Sequence, residues 1–173
     1  GASAHANLVV GNFIGTDASG SNALGNSRSG VFISGVSSNT IGGVEAGARN
    51  VISGNGEHGL WLLDARARGN SIRGNYVGTD VNGNRRVGNA NSGIRLETPA
   101  NFIGGTDAAA RNVISGNTNS GIYLYLASAS NNVIQGNFIG TTATGTAALA
   151  NGFAGLGLTN APANLIGGTN AGA

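Results

Sequence analysis

Five segments of the sequence share the pattern Gly–aliphatic–x–aliphatic, and the x position holds side chains suited to binding chemistry. These x residues are Phe32, Trp61, Arg95, Tyr123 and Gly157, and the residues two places further on are Ser34, Leu63, Glu97, Tyr125 and Thr159. Alternation along a strand directs both positions to the same side. Flat aromatic rings stack on sugar faces, and charged groups bind sugar hydroxyls or carboxylates. If the segments lie side by side, the pattern predicts a carbohydrate-binding platform of Phe32, Trp61, Arg95, Glu97, Tyr123 and Tyr125.

The structural alternative is that these outward aromatic side chains only shield a sheet or pack beneath long loops. The catalytic alternative rests on Asp64 and Glu97, which adjoining repeats would bring to one patch near His58 and Arg95. A glycoside hydrolase needs two carboxyl groups beside the sugar bond, and proton transfer needs a positioned acid and base. Most of the other acids recur at repeat positions, so turn bonding or capping explains them. We therefore prefer a non-catalytic function, with a polysaccharide-acting enzyme as the alternative.

The composition excludes several classes of protein. Of the 173 residues, 32 are Gly and 24 are Asn, which disfavours long helices because both residues are poor helix formers. The absence of Cys excludes disulfides and thiolate metal sites, and no metal or cofactor is predicted. A net charge of +2 is too weak to argue for nucleic acid. No apolar run approaches the roughly 20 residues of a membrane span, so no membrane insertion is expected.

Internal repeats decide the architecture. The heptapeptide GNFIGTD at residue 11 returns as GNYVGTD at residue 74 and as GNFIGTT at residue 136, and ARNVISGN occurs at residues 48 and 110. A finer period appears in the Asn that stands two residues before an aliphatic residue, which recurs every 31 or 32 residues: Asn7, Asn39, Asn70, Asn101, Asn132 and Asn164. The structural unit is therefore about 31 residues long, and two slightly different units alternate.

Each unit contains three short apolar runs with period-two alternation, separated by Gly, Asn and Ser. Such runs are typical of short strands, and the separating residues are those of turns. One unit cannot bury its own inward face, so units must stack and pair their strands. The sequence predicts an all-β parallel solenoid with three strands per turn and five to six turns over residues 1–173, as a single domain.

The solenoid places equivalent aliphatic residues in inward columns. We expect Val31, Leu60, Ile94, Ile122 and Leu156 in one column; Ile41, Ile72, Ile103, Ile134 and Ile166 in a second; and Ile52, Val77, Ile114 and Ile139 in a third. The recurring Asn is expected to form a structural ladder at a turn, in which each amide binds backbone or the Asn above it.

The motifs N-x-I-x-G-N, G-I-x-L and NVISGN resemble the bacterial right-handed parallel β-helix repeats of the pectate-lyase-like superfamily, over essentially the whole chain. The resemblance implies the right-handed winding. It leaves activity open, because that superfamily includes lyases, hydrolases, epimerases and adhesins. The IGTD units most resemble repeat regions of large secreted or cell-surface proteins.

These observations lead to a functional expectation with alternatives. We expect a non-catalytic structural or adhesive module, extracellular or at the cell surface, that contacts polysaccharide and is a segment of a longer repeat protein. The first alternative is a polysaccharide lyase, glycoside hydrolase or epimerase. The second is a self-stacking assembly unit, because open ends of a β-helix expose unpaired strands and invite end-to-end association.

Overall fold

The computed structural model of the chain describes residues 5–169, and its strands form three parallel sheets. Sheet 1 contains β1 (Leu8–Val9), β4 (Thr40–Gly42), β7 (Ser71–Arg73), β10 (Phe102–Gly104), β13 (Val133–Gln135) and β16 (Leu165–Ile166). Sheet 2 contains β2 (Phe13–Ile14), β5 (Val51–Ile52), β8 (Tyr76–Val77), β11 (Val113–Ile114) and β14 (Phe138–Ile139). Sheet 3 contains β3 (Val31–Ser34), β6 (Leu60–Leu63), β9 (Ile94–Leu96), β12 (Ile122–Tyr125) and β15 (Leu156–Thr159).

Successive strands of the chain belong to different sheets, and each strand pairs with its equivalent one winding away. Paired residues are 31 or 32 positions apart in sheet 1, whereas in sheet 2 the spacing alternates, as from Phe13 to Val51 (38) and from Val51 to Tyr76 (25). Five windings each contribute one strand to every sheet, and β16 adds a sixth strand to sheet 1. Within the described residues, the helical element is a single 3-10 turn, Ala108–Ala110. The prediction of an all-β parallel solenoid with three strands per turn is therefore confirmed.

The core is a stack of aliphatic side chains between the three sheets. The expected inward residues pair in register, as in the run Ile41, Ile72, Ile103 and Ile134, all of which are buried. Sheet 3 adds a second inward column containing Leu62, Leu96 and Leu124. Full burial of each such side chain contributes roughly 1.5–3 kcal/mol. At the end of the stack, Ile166 is 47% exposed. End-to-end association through such end residues stays a prediction.

Each of the three corners of the solenoid contains a ladder of Asn side chains. The first ladder joins Asn7, Asn39, Asn70, Asn101, Asn132 and Asn164 ahead of sheet 1. The second joins Asn12, Asn50, Asn75, Asn112 and Asn137 ahead of sheet 2. The third joins Asn26, Asn55, Asn89, Asn117 and Asn151 ahead of sheet 3. Sequence reasoning singled out the first ladder and missed the other two.

The same hydrogen-bonding unit repeats along every ladder. The Oδ1 of one Asn accepts both the backbone N–H and the Nδ2 of the Asn one winding earlier, as Asn70 Oδ1 does from Asn39 at 2.9 Å. The Nδ2 group also donates to a backbone carbonyl one winding earlier, as Asn112 does to Ile72 at 2.9 Å. The amides thereby satisfy polar groups that would otherwise be buried without partners.

Long loops alternate between the two sides of sheet 2. The first, third and fifth windings have a hairpin after the sheet-2 strand, closed by the pairs Thr16–Ala23, Thr79–Arg86 and Thr141–Ala148. The second and fourth windings instead have a long corner segment before it, residues 43–50 and 105–112. The hairpins stack, because Val81 N donates to the Gly20 carbonyl and Ala143 N donates to the Gly83 carbonyl, both at 2.9 Å.

The first prediction concerns the ladders. Replacing Asn70 with Leu leaves the backbone N–H and Nδ2 of Asn39 without their acceptor in a buried corner. We expect a loss of about 1–3 kcal/mol in the free energy of unfolding, measured by urea denaturation. Asn82→Leu is the control, since Asn82 is exposed at a hairpin tip. Equal stability of the two variants would contradict the stabilising role of the ladder.

The second prediction concerns close contact between windings. Gly78 and Gly140 occupy equivalent positions with φ of +88° and +81°. A Cβ on Gly78 would lie 2.3 Å from the Ser115 carbonyl oxygen, whereas a Cβ on Gly140 meets no atom of residues 5–169 within 4 Å. Both Ala variants incur backbone strain, but only Gly78→Ala adds a steric clash with the next winding. Gly78→Ala should therefore lower the free energy of unfolding by about 1–3 kcal/mol more than Gly140→Ala, measured by thermal unfolding. Equal losses would show that the winding above does not restrict this position.

Candidate functional site

The outer face of sheet 3 brings the predicted platform residues together in two columns. Strand register aligns Phe32 with Trp61, Trp61 with Arg95, Arg95 with Tyr123, and Tyr123 with Gly157. The second column places Ser34 beside Leu63 and Tyr125 beside Thr159. These pairings follow from the 31-residue period, because each outward position of one strand lies directly above its equivalent in the previous winding. We call this surface the sheet-3 face.

Arg95 lies at the centre of the sheet-3 face. Its guanidinium carbon is 5.8 Å from the ring centroid of Trp61, 6.0 Å from that of Tyr123 and 5.2 Å from that of Tyr125. Its Nε donates to Oε1 of Glu97 at 2.5 Å, and the side chains of this ion pair are 24% and 9% exposed. Cation–π attraction and a charge-assisted hydrogen bond therefore hold the guanidinium in one position.

Aromatic side chains form a pair on either side of Arg95. Phe32 and Trp61 have centroids 5.2 Å apart with their planes tilted by 56°. Tyr123 and Tyr125 are stacked, with centroids 5.9 Å apart and planes 18° from parallel. The hydroxyl of Tyr123 hydrogen-bonds to Oγ1 of Thr159 at 3.0 Å. The face therefore presents fixed rings instead of freely rotating side chains.

Two small clefts open along the edge of the sheet-3 face where the chain enters the sheet. One, of about 130 Å³, is lined by Arg28, Ser29, Phe32, Glu57 and Trp61. The other, of about 150 Å³, is lined by Asn119, Ser120, Tyr123 and Phe153. Each cleft combines aromatic rings with polar groups, which is the combination that binds and orients a small polar ligand.

The two carboxylates proposed for catalysis are both engaged in ion pairs. Arg66 donates to both oxygens of Asp64, with Nη2 at 2.8 Å from Oδ2, and this contact lowers the pKa of Asp64 to about 2. Glu97 accepts from Arg95. An acid with so low a pKa does not donate a proton near neutral pH. The arrangement is suited to binding, because its charged groups are held in fixed positions by one another.

His58 lies beside Trp61, with ring centroids 5.9 Å apart. Only 5% of the residue is exposed, and its Nδ1 is buried without a hydrogen-bond partner among residues 5–169. Burial, followed by the charge of Arg95, lowers the pKa of His58 below 6.5, although Glu57 and Glu97 act in the opposite direction. A neutral, buried imidazole at this place packs against the Trp61 ring.

The ion pairs of the described residues all border this face. They are Arg28–Glu57 at 3.5 Å, Arg66–Asp64 at 2.8 Å and Arg95–Glu97. Sequence reasoning did not pair these residues. Asp64 and Arg66 lie in the turn after β6, where the Arg66 backbone N–H also donates to Oδ1 of Asp64, whereas Arg95 and Glu97 are two residues apart at the end of β9 and so share a face. Each of these three arginines is therefore matched by a carboxylate.

The described part of the chain contains no group of three His, Cys, Asp or Glu that could hold a metal ion. It also contains no helix long and apolar enough to cross a membrane. Comparison with protein-family models, curated proteins and solved structures finds no match to this chain.

The third prediction is a pH dependence caused by His58. Because the folded state disfavours its protonation, the unfolded state binds the proton first, so stability should fall as the pH drops below about 6.5. Thermal unfolding between about pH 7 and 5 should therefore show a steeper loss for the natural chain than for His58→Gln. His5→Gln is the control, since His5 is exposed. Identical pH profiles for the natural chain and His58→Gln would contradict this assignment.

Proposed function

We propose that this chain is a non-catalytic structural and adhesive module of a secreted or cell-surface protein, and that its sheet-3 face contacts a neutral polysaccharide. The observation that carries the proposal is the Arg95–Glu97 ion pair, which is fixed among the partly exposed rings of Trp61, Tyr123 and Tyr125 on the outer face of sheet 3. The likeness of the motifs to bacterial β-helix repeats of the pectate-lyase-like superfamily is consistent with this location and with a glycan ligand.

The chemistry of the face favours sugars. The apolar C–H face of a pyranose ring packs on an aromatic ring, and its hydroxyls both donate and accept hydrogen bonds. A guanidinium beside a carboxylate offers donors and acceptors together, which matches such hydroxyls. Because Arg28, Arg66 and Arg95 each have a carboxylate partner, an acidic sugar would gain little and would meet Glu57, Asp64 or Glu97. A neutral glycan is therefore the preferred ligand.

The rigidity of the scaffold supports a structural role. Three ladders and an aliphatic core fix the windings, so the face behaves as a preformed surface whose ligand need not order it on binding. The pairing of Asp64 with Arg66 and of Glu97 with Arg95 favours binding over catalysis, because both carboxylates are held as ion-pair partners.

The fourth prediction tests glycan binding. Oligosaccharides of cellulose and xylan should change the fluorescence of Trp61, the single Trp of the chain, whereas oligogalacturonates should bind less tightly. Trp61→Ala and Tyr123→Ala should each weaken binding, measured by calorimetry, by about tenfold or more. Phe102→Ala is the matched control, because Phe102 is a half-exposed aromatic residue on the outer face of sheet 1.

Two outcomes would overturn the proposal. One is that no glycan class binds, or that Trp61→Ala and Phe102→Ala bind equally well. The other is that reducing ends or unsaturated sugar products accumulate during incubation with polysaccharides and that Asp64→Asn or Glu97→Gln abolishes them, which would make the chain an enzyme.

A further inference from the structure

A cleft of about 560 Å³ lies beside sheet 2, away from the sheet-3 face. One wall is the hairpin residue Val81, whose backbone N–H donates to the Gly20 carbonyl of the hairpin below at 2.9 Å. The other wall is the corner segment 43–47, closed by the bond from Ala48 N to the Glu45 carbonyl at 3.1 Å. The volume is within the range of sites that hold small molecules. Backbone hydrogen bonds thus hold both walls of the cleft in place.

Three accessible apolar side chains line the cleft. Phe13 is 44% exposed, Val44 is 39% exposed and Val81 is half-buried. Val51 also borders the cleft but is buried, so the surface available to a ligand belongs to the other three. They come from three successive windings, and covering them with an apolar group removes all three from water, which is favourable.

Arg49 contributes a positive charge that is held in position. Its guanidinium carbon lies 4.0 Å from the ring centroid of Tyr76, and its Nε donates to the carbonyl of Gly74 at 3.3 Å. The residue is nevertheless exposed and lines the cleft. A ring and a carbonyl therefore orient the guanidinium, and its terminal N–H groups can form a bidentate contact with a carboxylate.

Glu45 contributes a negative charge to the same cleft. It is exposed and lies on the corner segment, four residues before Arg49. No ion pair among residues 5–169 includes either of the two, in contrast to the three arginines beside sheet 3. Two opposite charges thus line one cleft without contacting each other.

This combination of groups restricts the ligand. A polyanion would meet the carboxylate of Glu45, and a cation would meet the guanidinium of Arg49. A purely apolar molecule would cover charged groups without giving them a partner, which is costly. A molecule that carries one positive charge, one negative charge and an apolar group satisfies every part of the lining. An α-amino acid with an apolar side chain has these three features.

We infer that the cleft binds a free α-amino acid with an apolar side chain. The carboxylate of the ligand binds Arg49, its ammonium group binds Glu45, and its side chain packs on Phe13, Val44 and Val81. The site lies on a different face from the one assigned to polysaccharide, so the inference does not depend on the proposed function.

The first test compares ligands on the natural chain. Titration of the isotope-labelled chain with L-phenylalanine should shift the backbone N–H signals of residues 43–47 in NMR spectra. Phenylpropionate lacks the ammonium group and L-phenylalaninamide lacks the carboxylate, so each should bind about tenfold more weakly. L-Serine, which keeps both charges but has no apolar side chain, should also bind more weakly than L-phenylalanine.

The second test removes one charge of the cleft at a time. Arg49→Gln should weaken the binding of L-phenylalanine and phenylpropionate about tenfold and leave L-phenylalaninamide unchanged. Glu45→Gln should weaken L-phenylalanine and L-phenylalaninamide and should not weaken phenylpropionate. Arg111→Gln and Glu57→Gln are the matched controls, because Arg111 makes the equivalent contact with Phe138 outside this lining and Glu57 lies beside sheet 3.

The crossed pattern separates binding from damage to the fold, because an unfolded variant would lose all three ligands alike. Thermal unfolding checks each variant. Trp61→Ala should bind L-phenylalanine normally, so a failure of the sheet-3 platform leaves this result unaffected. The inference is overturned if L-phenylalanine causes no shift, if the three ligands bind equally well, or if a dipeptide ending in phenylalanine binds as tightly as the free amino acid.

Discussion

The structure depends on satisfying the buried polar groups at the three corners of every winding. Strand residues pair their backbone groups with the windings on either side, but corner residues turn away from this pairing. The Asn ladders meet the requirement, because one amide accepts two hydrogen bonds from the previous winding and donates its own. With the corners satisfied, the aliphatic residues can stack in register, as Ile41, Ile72, Ile103 and Ile134 do. Core packing and backbone pairing thus share one period of about 31 residues.

This period explains how the solenoid gains distinct surfaces without losing its register. A hairpin in odd windings and a corner segment in even windings give almost the same winding length, so the ladders stay aligned while both loops project beside sheet 2. On sheet 3 the rings of Trp61, Tyr123 and Tyr125 stay partly exposed, and the Arg95–Glu97 ion pair lies among them. The surroundings of the arginines consequently differ, because Arg28, Arg66 and Arg95 beside sheet 3 have carboxylate partners, whereas Arg49 and Arg111 beside sheet 2 lie over the rings of Tyr76 and Phe138.

Sequence reasoning reached the fold because repetition makes long-range pairing visible: residues 31 positions apart in equivalent runs must be neighbours. It also brought Trp61, Arg95 and Tyr123 into one column for the same reason. It missed the second and third ladders because the spacings of Asn12, Asn50 and Asn75 alternate between long and short as the loops change sides. It also missed the contacts of Arg49 with the Tyr76 ring and of Arg111 with the Phe138 ring, although both pairs are 27 residues apart and recur with the 62-residue repeat.

The direction of the amide bonds has a consequence for how windings can be added. In the bonds that join one Asn to the next, in all three ladders, the donor belongs to the earlier winding and the acceptor to the later one. The amide dipoles therefore point the same way along the solenoid axis, so the two ends of the solenoid are chemically different. A further winding that pairs with either end, whether from the same polypeptide or from a neighbouring one, must have its amides oriented in the same direction. Head-to-tail growth continues the amide rows, whereas head-to-head contact would set acceptor against acceptor.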